Sequence, residues 1–194
     1  MNKTESVPQP VKLFVGMISP EICMFDTLRR KLVELYGNID LESPVMEWGY
    51  TDHYSKEMGG DLKRKFIFFE KLISPETIAE IKLKTSELER QYLKENNPPI
   101  PPLPKGGEGG FKGGRRINLD PGYLDSARVV LVSTKDYSHR VYLGKGIYGE
   151  TTLIYSGKNY QTLPYTYPDF RTQEYFAIFK MAREKYKTAV KEQK

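Results

Sequence analysis

The chain has 194 residues, a formal net charge of +5 and one cysteine. That length suits one domain with its own core, and the lone Cys23 excludes an intrachain disulfide or a Cys-based zinc site. The basic balance permits a nucleic-acid or phosphate partner without demanding one, and no apolar run approaches the roughly 20 residues of a membrane span, so the cytoplasm is the default location and no membrane partner is expected.

Residues 1–10 are polar, with Pro8 and Pro10, and read as a flexible tail ahead of a single α+β domain over 11–194. Lys12–Ile18 is an apolar run that predicts a buried strand. Ser19-Pro20-Glu21 supplies an N-cap, a first-turn proline and an acid for a helix start. The helix continues through Ile22, Phe25, Leu28, Leu32, Leu35 and Tyr36 to Gly37, and Cys23 is expected to be a buried, inert thiol within it. Ser43–Tyr50 and Lys65–Ile73 predict further strands. Ser74-Pro75-Glu76 repeats the start signal before a helix through Ile78, Ile81, Thr85, Leu88 and Tyr92. Strand–helix–strand twice over predicts a ferredoxin-like split βαβ core.

Residues 96–114 break the pattern. Proline fills the first half and glycine the second, which predicts a flexible, solvent-exposed and dispensable insertion. Four basic residues between 105 and 116 face only Glu108, so this stretch carries much of the excess charge. Beyond it, Arg116–Asp120 predicts a strand and Pro121-Gly122-Tyr123 a turn. Leu124–Ser133 fits a strand through its valines or a helix through Leu124, Ala127, Val130 and Leu131, and the helix is slightly preferred. Arg140–Leu143, Glu150–Tyr155 and Tyr160–Leu163 predict an added hairpin region, with Ser156–Asn159 as a tight turn, before a terminal amphipathic helix from Thr172.

No phosphate loop of the Walker type, dinucleotide fingerprint, zinc-protease or nucleophile-elbow motif is present, and no DNA-binding motif is recognised. The cofactor, if any, is not indicated. Three polar runs can carry chemistry. In Ser133–Arg140, Lys135 and Arg140 suit phosphate or carboxylate, and His139 suits proton transfer with Asp136 to orient it. The same run also reads as a polar loop capped by its own Asp and Ser. In Tyr50–Gly60, Asp52, His53, Tyr54 and Glu57 cluster, with Lys63–Lys65 following; carboxylates beside a histidine can ligate a hard cation, and ordinary loop polarity is the plainer reading. In Asn118–Tyr123, Asp120 and Tyr123 place an acid and a phenol at a strand end, where Asp120 can equally serve the turn itself. Phe66 and Phe68 share a strand face as in an RNA-binding sheet, but core packing accounts for them better.

The runs Lys12–Gly16, Thr51–Tyr54 with Glu57–Gly59, Glu80–Lys82, Asn118–Tyr123, Ser133–Asp136, Ser138–Arg140, Gly146–Tyr148 and Thr166–Asp169 together resemble a prokaryotic family catalogued as a domain of unknown function, DUF4416. The resemblance spans nearly the whole chain apart from the tail and the insertion. It implies no activity, but it makes Asp120, Lys135, His139 and Arg140 part of signature runs. The leading expectation is a binding module for an anionic ligand, a nucleotide or RNA. Lys135 and Arg140 would hold phosphate, Tyr123 would stack or hydrogen-bond, and Lys63–Lys65 would extend the positive surface. The alternatives are a small enzyme for a phosphorylated or carboxylated substrate, with His139 as general acid or base, and a protein-interaction scaffold.

Overall fold

The computed structural model describes residues 8–51, 54, 57–93 and 114–192. In chain order these form β1 (Val11–Ser19), α1 (Ile22–Tyr36), β2 (Ile39–Glu42), β3 (Met46–Glu47), β4 (Lys63–Ile73), α2 (Ile78–Gln91), β5 (Asn118–Leu124), β6 (Arg128–Ser133), β7 (Val141–Gly144), β8 (Ile147–Ser156), β9 (Asn159–Thr162) and α3 (Gln173–Glu192). The fold is α+β: one nine-stranded sheet ordered β2-β4-β1-β5-β6-β8-β7, with β3 also on β4 and β9 also on β8. Every pairing is antiparallel. No described helix is long and apolar enough to cross a membrane.

β1 lies at the centre, and all nine of its residues are buried. Successive side chains point to opposite faces of a strand, so a strand covered on both sides is mostly apolar, and the buried Lys12 of β1 is paired with Asp40 at 2.7 Å. Leu13, Val15 and Met17 pack with Met24, Phe25, Leu28 and Leu32 of α1 and Ile78, Ala79, Ile81 and Leu88 of α2. Phe14 points the other way, into a cluster with Phe66, Phe68, Phe170 and the α3 residues Tyr175, Phe179 and Ala182. There the rings meet edge to face, as in Phe66–Tyr175 at 4.9 Å and Phe14–Phe179 at 5.1 Å. Helices thus cover both faces of the sheet.

Several elements differ from expectation. Residues 128–133 are strand β6, not helix, because Val129–Val132 is buried between β5 and β8, where branched side chains fit the pleat. Pro121-Gly122-Tyr123 makes no turn; it lies within β5. A Cβ on Gly122 would sit 2.4 Å from the Val130 carbonyl oxygen and 2.5 Å from Phe14, so glycine here serves close approach between strands. Only Met46–Glu47 of the expected 43–50 strand is extended pairing, since Pro44 interrupts the run, although the Ser43 hydroxyl still accepts the Phe66 N–H at 2.8 Å. Both Ser-Pro-Glu signals precede helices, but Pro75–Thr77 is a separate 3-10 turn. Before α1, Ser19 accepts the Glu21 N–H at 2.9 Å and donates to the Arg116 carbonyl at 2.6 Å, while Glu21 holds the capping position. Cys23 is exposed: the buried stripe of α1 runs Met24, Phe25, Leu28, Leu32, and Cys23 lies one position off it, with Ile22 and Leu35 also in solvent. The 156–159 turn forms as read, with positive φ at Gly157 and Lys158.

The expected tail lies mostly outside the described residues, as does the 96–114 insertion. At the insertion's flanks, Leu93 and Arg115 form an antiparallel bridge. Replacing residues 94–114 with Asn-Gly, which suits a two-residue hairpin, should shift Tm by less than about 3 °C; a larger fall in a thermal melt would show that the segment contributes to the fold. Gly122→Ala should cost about 1–3 kcal/mol through overpacking, read as a lower urea midpoint with an unchanged slope.

Candidate functional site

The ladder between β5 and β6 is short. It pairs Gly122 with Leu131, Tyr123 with Val130 and Leu124 with Val129, and ends there. Pro121 is the next β5 residue that would turn its N–H toward β6, and proline has none. Farther along, Leu119 would leave its N–H and carbonyl unpaired in the interior. Two side chains of α2 take them: Glu89 accepts the N–H, and Lys82 donates to the carbonyl at 2.9 Å. Both side chains are buried. Burial pushes the Glu89 carboxyl upward, against the lowering pull of Lys82.

Where the strands part lies a cavity of about 260 Å³. Asp120 of β5 projects into it from the α3 side of the sheet, and Leu131 and Ser133 of β6 lie opposite. Arg64 enters from β4, crossing β1 to reach Asp120 at 3.1 Å. The crossing is possible because residue 16 is glycine: its Cβ would lie 2.7 Å from an Arg64 Nη. The guanidinium rests on the Phe66 ring, 4.6 Å from its centroid. Burial works against the Asp120 carboxylate, but the positive charges of Arg64 and Lys82 outweigh it and hold its pKa below the usual value.

The opposite wall is anchored on Glu150 of β8, which is buried. One of its oxygens receives Arg140 Nε at 2.8 Å and faces His139 Nε2 at 2.7 Å. Arg140 also donates to the Lys135 carbonyl at 2.9 Å and the Tyr167 hydroxyl at 2.6 Å, and stacks over Tyr137. All three guanidinium nitrogens are thus engaged, and they fix the 133–140 loop as a rim. Trp48, Tyr50 and Tyr54 form an aromatic side. Trp48 donates its indole N–H to buried Asp169 at 3.0 Å and meets Tyr54 edge to face at 5.3 Å. Burial raises the Tyr54 and Tyr167 phenols, so both keep their protons near neutral pH.

Of the residues singled out in the sequence, Tyr54, Asp120, Lys135 and Arg140 meet in this cavity. His139 sits behind its wall on Glu150, stacked on Tyr165 at 4.3 Å. Asp136 is exposed on the rim loop. Tyr123 points to the other face of the sheet, against the α1–α2 core. Lys63 alternates away from Arg64 and pairs with Glu47. Glu57 pairs with Arg115. Asp52 and His53 lie outside the described residues. The sequence reading did not single out Lys82, Glu150, Tyr167 and Asp169, and it took Arg64 only as part of the basic run Lys63–Lys65. Strand alternation with Phe66 and Phe68 was the available signal for Arg64. Lys82, Tyr167 and Asp169 stand inside the runs 80–82 and 166–169 that carried the family resemblance.

Asp120→Asn should leave the Arg64 charge buried without its counter-ion, a loss of about 3–5 kcal/mol at pH 7. The Asp120 pKa is depressed on folding, so its contribution is present above the unfolded value near ~3.9 and is lost as pH falls through the folded value. Urea melts of both proteins should therefore differ at pH 7 and converge in strong acid; a gap independent of pH would contradict the pairing.

A family model described as a domain of unknown function, DUF4416, matches residues 9–186. No curated protein and no solved structure matches the chain. The match runs from the start of the central strand into α3 and takes in all the cavity residues described above, and the chain therefore belongs to the DUF4416 family.

Proposed function

We propose that the chain binds a nucleotide in the cavity between β5 and β6, with its ring among the aromatic side chains and its phosphate at the rim. The observation that carries this reading is the convergence, in one cleft, of flat aromatic walls with buried hydrogen-bonding charges. Trp48, Tyr50, Tyr54, Tyr137 and Tyr167 offer ring faces and edges, and Asp120, Arg64 and Lys82 offer polar partners. Arg64 supports it further, because its buried Nε has no acceptor among the described residues, a deficit that a ligand or water would remove. The volume is slightly below the roughly 300–1,000 Å³ of drug-sized sites, which favours one nucleotide over an RNA segment. The exposed thiol Cys23 suits a reducing cytoplasm.

The strand order β2-β4-β1-β5, with α1 and α2 on one face, supports a ferredoxin-like split βαβ arrangement extended by β6–β9 and α3. The enzyme alternative draws on the His139–Glu150 contact beside the cavity. In that reading Glu150, not Asp136 or Asp120, orients the imidazole, and Arg140 stabilises developing negative charge.

A thermal-shift series with nucleotides, ribose 5-phosphate and a short RNA tests these readings. A nucleotide at about 100 times its Kd should stabilise the fold by about 2.7 kcal/mol, a shift of several degrees, and Tyr137→Ala with Lys135→Ala should abolish it. A response to RNA alone, falling steeply with salt, would replace the mononucleotide by RNA. Turnover of a phosphorylated ligand that His139→Ala abolishes would favour the enzyme. Silence from every compound would overturn the nucleotide reading and direct attention to the exposed Val141, Tyr142 and Leu143 of edge strand β7.

A further inference from the structure

The charges around the cavity restrict what its occupant can carry. Among the described residues, four cations line it, Arg64, Lys82, Lys135 and Arg140, together with the carboxylates Asp120, Glu150 and Asp169. Most are committed within the protein. Arg64 pairs with Asp120 and Arg140 with Glu150. Lys82 holds the Leu119 carbonyl and lies in the fields of Glu89 and Asp120. Asp169 accepts the Trp48 indole and the Phe170 backbone N–H.

Lys135 is different. It is exposed at the rim, and its ammonium has no acceptor among the described residues. Its backbone is nonetheless fixed: its N–H reaches the Ser133 hydroxyl at 3.1 Å and its carbonyl holds Arg140. Next to it, the Tyr167 hydroxyl accepts from Arg140. That hydroxyl keeps its own proton and can donate it outward. Among the described residues, the outer cavity thus offers one free cation and, in Tyr167, an O–H donor. The inner end holds the Asp120 carboxylate, which takes Arg64 on one oxygen and lies within reach of Asn118; a carboxylate has lone pairs to spare, and one can accept from a ring N–H.

We infer that the ligand carries a single anionic group: the site is matched to a nucleoside monophosphate, with its phosphate at Lys135 and Tyr167 and the N–H edge of its base toward Asp120. This rests on the nucleotide reading and adds discrimination against di- and triphosphates. Among the described residues their extra charges would meet no second uncommitted cation, and they would lie close to the carboxylates of Glu150 and Asp169, where like charges repel.

Isothermal titration of the full chain in metal-free buffer, with the nucleoside, 5′-monophosphate and 5′-triphosphate of each common base, tests it. For at least one base the monophosphate should bind about tenfold more tightly than either the nucleoside or the triphosphate, the change expected of one added or one mismatched charge. Lys135→Ala should bring the monophosphate down to the affinity of the nucleoside while leaving nucleoside binding and Tm unchanged. A triphosphate that binds as tightly as the monophosphate, or a monophosphate advantage that survives Lys135→Ala, overturns the inference and leaves the nucleotide reading intact. No binding by any nucleoside or nucleotide overturns both.

Discussion

At Pro121 strand β5 loses the N–H it would need to continue its ladder with β6, and much of the molecule's polar interior follows from that gap. A buried peptide group without a partner costs about as much as a lost hydrogen bond. The protein answers with α2, whose Lys82 and Glu89 bond the two free groups of Leu119. A helix otherwise packed through Ile78, Ile81 and Leu88 thereby carries two buried polar side chains, Lys82 and Glu89, into the heart of the fold. The opened strands leave a space, and polar side chains line it because their neighbours already carry the matching charge.

Arg64 and Gly16 are coupled in the same way. A guanidinium buried in a sheet needs a counter-charge within reach, and the nearest one, Asp120, lies on the far side of β1. Only a residue without a side chain at position 16 lets Arg64 cross the strand to it. The Phe66 ring beneath the guanidinium belongs to the α3 core, and Phe170 of the same cluster lines the cavity. Changes to the aromatic core would therefore be felt at the site, and changes in cavity charge would be felt in stability.

The aromatic residues divide by chemistry only in part, since Tyr160 and Tyr175 join the core and Phe170 also lines the cavity. Phenylalanines 14, 66, 68 and 179 have no polar tip; 14, 66 and 68 each meet Phe179 of α3 edge to face. The cavity instead takes Trp48, Tyr50, Tyr54, Tyr137 and Tyr167, whose N–H and O–H groups can meet polar partners. Trp48 is held by Asp169, and Tyr167 by Arg140. Rings so held present a preformed face, which lowers the entropic cost of binding a flat ligand.

Local chemistry was enough to read β1, most of β4, α1, α2, α3 and the β8–β9 hairpin in the sequence. Each is marked by a run of apolar residues at its own period or by residues that tolerate positive φ, and these signals act within a few positions. Tyr54, Asp120, Lys135 and Arg140 could be named for the same reason, as polar residues between apolar runs. Tertiary structure decided the rest. Whether 128–133 became strand or helix depended on β5 and β8 standing on either side, and Pro121-Gly122 became strand because Phe14 and the Val130 carbonyl leave no room for a side chain. Arg64, Lys82 and Glu150 gained meaning only when strands and helices distant in sequence met. A charge's role is set by its nearest counter-charge and its exposure to water, and pairing across the sheet creates both.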